Sequence, residues 1–208
     1  MSLNCFTDQE LQRGCRWRAR ISGACALVLL LSGCATSPDR QGHGPGADDR
    51  RFERAAAAMQ QGPQEDALEL LDDLAADYPT LSGPWINLGI LHAAAGRDED
   101  AEAAFVRAIE VSPQHAVAHA ELGIVLRRQG RFAAADEAYR QALALDPDYA
   151  LAWRNRGVLL DLYLGRPAEA LECYERYLEL VGGTDADQQV ARWVAELRLR
   201  TDSRVATR

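Results

Sequence analysis

The chain has 208 residues, 31 of them acidic and 23 basic, and a formal net charge of −8. An apolar content of 48% with 26% charged residues is globular in character and excludes a wholly disordered chain. The acidic balance argues against a nucleic-acid partner, because displacing counterions from phosphate needs a basic face.

The N-terminal segment comes first in chain order. Arg13, Arg16, Arg18 and Arg20 precede an almost wholly apolar run over 21–31 (ISGACALVLLL). A basic region followed by an apolar stretch of about ten residues is the pattern of a secretory signal. The run is too short for a bilayer core, which takes roughly 20 helical residues. Leu31-Ser32-Gly33-Cys34 follows at once. This order resembles the signal of bacterial lipoproteins, whose lipobox has the form Leu-[Ala/Ser]-[Gly/Ala]-Cys. The resemblance implies removal of residues 1–33 and lipidation of Cys34. Ala35 rather than Asp follows the cysteine, which implies the outer membrane, facing the periplasm. Several acyl chains at about 0.8 kcal/mol per buried CH₂ would hold the protein firmly.

Cys5, Cys15 and Cys25 would leave with the signal, and Cys34 would be acylated. Cys173 alone would remain, so no internal disulfide is expected. Residues 34–47 then read as the lipidated cysteine and a flexible tether. Their Gly, Pro and Ser content carries no apolar periodicity, and 13 such residues span roughly 20 Å.

From residue 48 a 34-residue period emerges. It relates Pro79, Pro113 and Pro147; Gly62, Gly96 and Gly130; Gly89, Gly123 and Gly157; and Ala67, Ala101 and Ala135. The period and the residues at these positions resemble the tetratricopeptide repeat (TPR), a helix-turn-helix unit. Residues 82–115 carry Trp85, Leu88-Gly89, Gly96, Ala101, Phe105, Ala108 and Pro113; residues 116–149 carry Leu122-Gly123, Gly130, Ala135, Tyr139, Ala142 and Pro147. The resemblance implies an all-α solenoid of stacked hairpins, with repeats at about 48–81, 82–115, 116–149 and 150–183.

First helices are expected at roughly 83–95, 117–129 and 151–163. Gly89, Gly123 and Gly157 fall where two helices cross closely. Gly96 and Gly130 fall where a helix ends on a left-handed residue. Ala101 and Ala135 let the second helix approach the first, while Trp85 and Trp153 supply bulk. A single hairpin cannot bury its apolar face, so the repeats must stack.

The outer units depart from the pattern. Residues 48–81 lack the Trp and the Leu-Gly pair and read as a degenerate capping repeat. In 150–183, Gly165 comes one residue late, which implies an insertion at the turn, and Arg156 stands in the usual Leu position. Thr184-Asp185-Ala186-Asp187 offers a helix cap, and Val190, Trp193, Val194 and Leu197 follow at helical spacing. A capping helix is expected over 184–200 and a disordered tail over 201–208.

Little in the chain suggests catalysis. All 23 basic residues are arginine, which removes Schiff-base and Walker-lysine chemistry. No Gly-x-Ser-x-Gly elbow or phosphate loop is present. His115 and His119 are spaced for a metal, but His119 occupies the position of Trp85 and Trp153, and a site needs three or four converging ligands. The acidic runs Asp72-Asp73 and Asp98-Glu99-Asp100 read as solvated faces, and Cys173 as a half-buried structural thiol. No catalytic residue, metal or cofactor is expected.

The TPR resemblance implies a binding groove along the inner face of the first helices. By position this comprises Ile86, Asn87 and Ile90; Ala120, Glu121, Ile124, Arg127 and Arg128; and Arg154, Asn155, Val158 and Asp161. Apolar residues flanked by Arg and Asn would suit an apolar segment with some acidic character. The alternative is that Ile86, Ile90 and Ile124 pack under a neighbouring helix. The lysine-rich clamp of chaperone co-factors has no match. Known TPR lipoproteins serve as pilotins for pilus secretins or as adaptors for murein hydrolases and proteases. The expected role is therefore a membrane-tethered adaptor for an envelope protein or peptide segment. A self-associating organiser, a homo-oligomer, is the second reading.

Overall fold

A computed structural model describes residues 45–206, with side chains over 48–201. The leader, the lipobox with Cys34 and the tether up to residue 44 lie outside the described residues. Among the described residues there are nine helices and no strand. The chain divides into two compact units, one ending at Asp77 and one beginning at Tyr78.

The first unit holds α1 (Pro45–Gln61) and α2 (Gln64–Asp77), which pack as one hairpin. Helix α1 starts at Pro45, so the expected tether gives way to helix before residue 48. Proline tolerates this first-turn position because its missing N–H would have no helical partner. Ala55, Met59, Ala67, Leu71 and Leu74 are buried. Arg51 reaches from α1 to Asp77 at the end of α2, at 2.6 Å.

The second unit runs α3 (Ser82–Ala94), α4 (Asp98–Val111), α5 (Ala116–Arg128), α6 (Phe132–Leu145), α7 (Ala150–Leu162), α8 (Pro167–Val181) and α9 (Gln188–Ala206). The first helices each begin one residue earlier than the sequence suggests. Hairpins form between α3 and α4, α5 and α6, and α7 and α8. Each second helix packs on the next first helix, and α3, α5 and α7 touch in turn. The first helices thus form one continuous row.

An aromatic ring over a glycine closes each hairpin. A Cβ on Gly89 would lie 2.5 Å from the Phe105 ring, on Gly123 2.7 Å from Tyr139, and on Gly157 2.6 Å from Tyr174. Real Cβ atoms do not come that close, so the large ring of one helix requires the bare backbone of the other. Phe105, Tyr139 and Tyr174 are all fully buried beside Ala101, Ala135 and Ala170. The turn glycines Gly96 and Gly130 take φ of +74° and +78°.

Two polar contacts recur with the period. Trp153 donates from Nε1 to the Pro147 carbonyl at 2.8 Å, and His119 Nε2 lies 3.0 Å from the Pro113 carbonyl. Arg131 reaches Glu102 at 2.5 Å, and Arg166 reaches Asp136 at 3.2 Å. In each ion pair the start of one second helix is tied to the preceding second helix.

The insertion before Gly165 lies between α7 and α8. The linker after α7 has four residues, against three after α3 and after α5. Leu164 turns inward and packs against the buried clusters on both sides, and Tyr163 turns outward. Arg156, in the Leu position, points its Nε at Asp136 Oδ1 (2.7 Å) while its Nη1 lies 3.7 Å from Cys173 Sγ. Asp136 thereby joins two guanidiniums, the largely desolvated Arg156 and the exposed Arg166.

Helix α9 begins at Gln188, and its cap is Asp187 rather than the earlier residues of the Thr184–Asp187 run. Asp187 Oδ1 accepts the backbone N–H groups of Gln189 and Val190, while Oδ2 accepts the Tyr177 hydroxyl. The Val190 N–H contributes most to holding this carboxyl below its ordinary value. Val190, Val194 and Leu197 are buried against α8. Residues 201–206, expected as a disordered tail, continue the helix to Ala206. Thr201 bonds back to the Leu197 carbonyl, at 2.9 Å, as helical threonines do.

The Asp136 triad yields a prediction. Arg156→Leu leaves Asp136 paired with Arg166 and restores an apolar residue, so stability should change by less than about 1 kcal/mol or rise. Asp136→Ala strands Arg156 and should cost about 3 kcal/mol. Urea midpoints of the two variants check this; equal losses would contradict it.

Candidate functional site

The row of first helices is the surface that the sequence nominates. The structure divides its residues. Ile86, Asn87 and Ala120 are buried (0, 0 and 2% exposed) and are therefore not part of an open groove. Ala120 packs with Ala142 and Leu143 of its own repeat and Ala152 of the next. Burial corrects the expectation of open groove positions for those three. Asn87 keeps both side-chain polar atoms without a partner.

Ile90, Glu121, Ile124, Arg127, Arg154, Asn155, Val158 and Asp161 are half-buried, and Arg128 is exposed. Ile124 packs against the core of its own repeat, and Val158 against the core of the last one. Arg128 pairs with Asp98 and donates to the Ala93 carbonyl at 2.9 Å. It clamps adjacent repeats and has little left for a ligand. Asp161 is likewise taken, by Arg200 of α9 at 3.2 Å. Glu121, Arg127 and Arg154 are left with no ion pair within the described residues, beside the uncharged Ile90 and Asn155.

Arg127 and Arg154 share an arrangement. The Arg127 guanidinium lies 5.7 Å from the Tyr163 ring and that of Arg154 lies 5.9 Å from the Trp193 ring. Both Nε atoms are buried without an acceptor. Aromatic faces attract these cations by their quadrupoles. Trp193 belongs to α9, so the capping helix contributes to the last part of the row. Sequence reading placed Arg154 but did not foresee that ring, because the contact spans repeats.

Glu121 stands in the 34-residue series with Asn87 and Asn155. Burial raises its carboxyl above the ordinary value of 4.5. The Tyr139 hydroxyl beneath the row is buried, and burial pushes it up to about 12 against the pull of the nearby Arg127 guanidinium. Cys173 is 1% exposed, and burial lifts its thiol to about 11 against the pull of Arg156. A thiol so placed stays protonated and is a packing residue at neutral pH.

His119 is committed to the Pro113 carbonyl and His92 Nδ1 accepts from Arg97 at 3.0 Å. Among the described residues no group of three or more His, Cys, Asp or Glu is placed to hold a metal ion. None of the described helices is long and apolar enough to cross a membrane.

Comparison with known proteins agrees with this geometry. A family model described as tetratricopeptide repeat matches residues 80–148, and a second with that description matches 120–183. Among curated proteins none matches. Among solved structures, TTC0263, a thermophilic TPR protein of Thermus thermophilus, is 26% identical, with a TM-score of 0.61, and the match covers 75% of this chain and 84% of that one. The pilF protein of Pseudomonas aeruginosa is 22% identical at a TM-score of 0.66, covering 77% and 71%. MamA of Desulfovibrio magneticus RS-1 is 20% identical at 0.61, covering 74% and 85%.

The burial of Glu121 has a pH consequence. Its folded pKa exceeds its unfolded one, so the folded state binds the extra proton, and this group's contribution falls as pH rises from about 4.5. Glu121→Gln should raise stability at pH 7 and leave it nearly unchanged at pH 3.5. Paired thermal melts at those two pH values check the prediction; a variant no more stable at pH 7 would refute it.

Proposed function

We propose, from the premise that residues 80–183 of this chain are tetratricopeptide repeats, that the protein is a non-catalytic adaptor holding a protein partner on its row of first helices. TPR proteins generally bind protein partners, and the observation that supports it here is the half-open part of that row. Ile90, Glu121, Arg127, Arg154 and Asn155 present apolar, hydrogen-bonding and cationic groups that no ion pair within the described residues consumes. Such a mixture suits a peptide segment, whose main chain takes hydrogen bonds and whose side chains supply the apolar contact.

The adaptor works at a membrane in this reading. Leu31-Ser32-Gly33-Cys34 directs lipidation of Cys34, Ala35 favours the outer membrane, and the partner is an envelope protein. Pilus or secretin assembly and the control of murein hydrolases or proteases are the processes such lipoproteins serve. The pilF likeness, at 22% identity, speaks only to the fold.

Two changes test the parts separately. Cys34→Ala should move the protein from the membrane fraction to the periplasmic fraction after cell disruption. Ile90→Arg with Asn155→Arg should leave fractionation unchanged and abolish in-cell crosslinking of the partner. Membrane retention of the first variant would disprove lipid anchoring, and unaltered crosslinking by the second would disprove the row as the binding face.

A further inference from the structure

Where α7 ends, Leu162 and Tyr163 stand on the surface, 69% and 44% exposed, next to two other groups. The Tyr163 ring packs on Phe132 at the start of α6, with centroids 4.8 Å apart and planes tilted by 36°. The Arg127 guanidinium at the end of α5 lies over the same ring and donates from Nη1 to its hydroxyl at 3.5 Å. Three successive elements of the second unit thus meet at one surface spot.

This spot has no counterpart at the other two turns. Ala95 and Gln129 follow α3 and α5 where Tyr163 follows α7. The α5 end of the other turn carries Arg128, which is bound to Asp98. Charge makes the second distinction. Ten arginines of the second unit lie within 4 Å of a carboxylate among the described residues. Arg127, Arg154 and Arg192 do not, and of these three Arg127 is the one beside the exposed Tyr163 ring. It is a half-buried cation with no carboxylate within 4 Å among the described residues, in a chain with excess acid.

We propose that Leu162, Tyr163, Phe132 and Arg127 form a docking spot for an acidic partner segment, one that sets an apolar side chain on Leu162 and Tyr163 and a carboxylate on Arg127. An arginine kept short of a carboxylate supplies the complement to such a ligand. Arg–carboxylate pairing can be bidentate, and the backing ring fixes the plane of the fork. The apolar contact would be made by exposed groups that otherwise face water. The spot lies at the turn edge of the unit, shares Arg127 with the row of first helices and rests on that row's proposed role as a binding face.

Panning a phage-displayed library of random dodecapeptides on the full chain carrying Cys34→Ser tests this. The expected result is enrichment of Leu or Phe next to Asp or Glu. Affinity of the synthesised winners should fall about tenfold or more on Leu162→Ser and on Arg127→Gln. Both variants should keep the parent melting temperature, since Leu162 is exposed and Gln retains an amide at position 127. Added salt should weaken the winners, and Glu→Gln versions of them should bind as the Arg127→Gln variant does.

Winners without acidic enrichment, or unaffected by both substitutions, would overturn the proposal. If they instead lose affinity on Asn155→Arg alone, the row of first helices remains the binding face and the turn spot falls. Failure to select any binder would count against both. Loss of self-association on Leu162→Ser, measured by light scattering, would assign the spot to a second copy of the chain and overturn the acidic partner.

Discussion

The structure of the second unit depends on a steric exchange between one helix that gives up its side chain and another that fills the space. Gly89, Gly123 and Gly157 have no Cβ, and the rings of Phe105, Tyr139 and Tyr174 occupy that volume. Because the ring lies over backbone, the two axes of each hairpin come close, and Ala101, Ala135 and Ala170 beside the ring allow it. Everything else follows from this distance. The next first helix finds a ridge of fixed height, so α3, α5 and α7 line up and their outward side chains become a row. Had alanine stood at the glycine, the ring would have had to move, and the row with it.

Charge then sorts the surface. Ion pairs such as Arg131–Glu102 and Arg166–Asp136 repeat between second helices, and Arg128–Asp98 links adjacent repeats. Each alone is a surface pair of small worth, and most of its energy goes to entropy and screening. Their effect is on which arginines remain free. Arg127 and Arg154 are set over Tyr163 and Trp193 and receive no carboxylate. For these two half-buried cations an aromatic face supplies part of the contact that a carboxylate gives elsewhere. The polarity of the candidate surface is therefore a consequence of packing on two rings as much as of the arginines themselves.

Much of this was legible in the chain because the fold is periodic. The 34-residue spacing fixed the hairpins, the glycine positions and the helix starts to within one residue. The final helix was legible from Val190, Trp193, Val194 and Leu197, but its length was not. Nothing after residue 200 in the sequence breaks a helix, and composition alone read it as a tail. The inner-face residues were legible only as positions. Ile86, Asn87 and Ala120 came out buried, and periodicity within one helix does not report how far its neighbours overlap it. Contacts spanning repeats, such as Arg154 with Trp193, leave no local mark in the sequence.

The insertion in the last repeat shows how a periodic fold gains an individual feature. Gly89 and Gly123 are each followed by their ring after 16 residues, and Gly157 after 17, yet the ring still lands on the glycine. The extra residue is absorbed in the turn, where Leu164 goes into the core between two clusters and holds the shifted backbone. The residue before it, Tyr163, keeps the register of Ala95 and Gln129 and packs on Phe132 at the surface. Packing inside the hairpin is unchanged, and the repeat's own choice of side chain at the turn leaves an exposed ring beside Arg127. A repeat can therefore acquire a surface property without disturbing its neighbours, because the aromatic-on-glycine contact sets the axes and the turn takes up the difference.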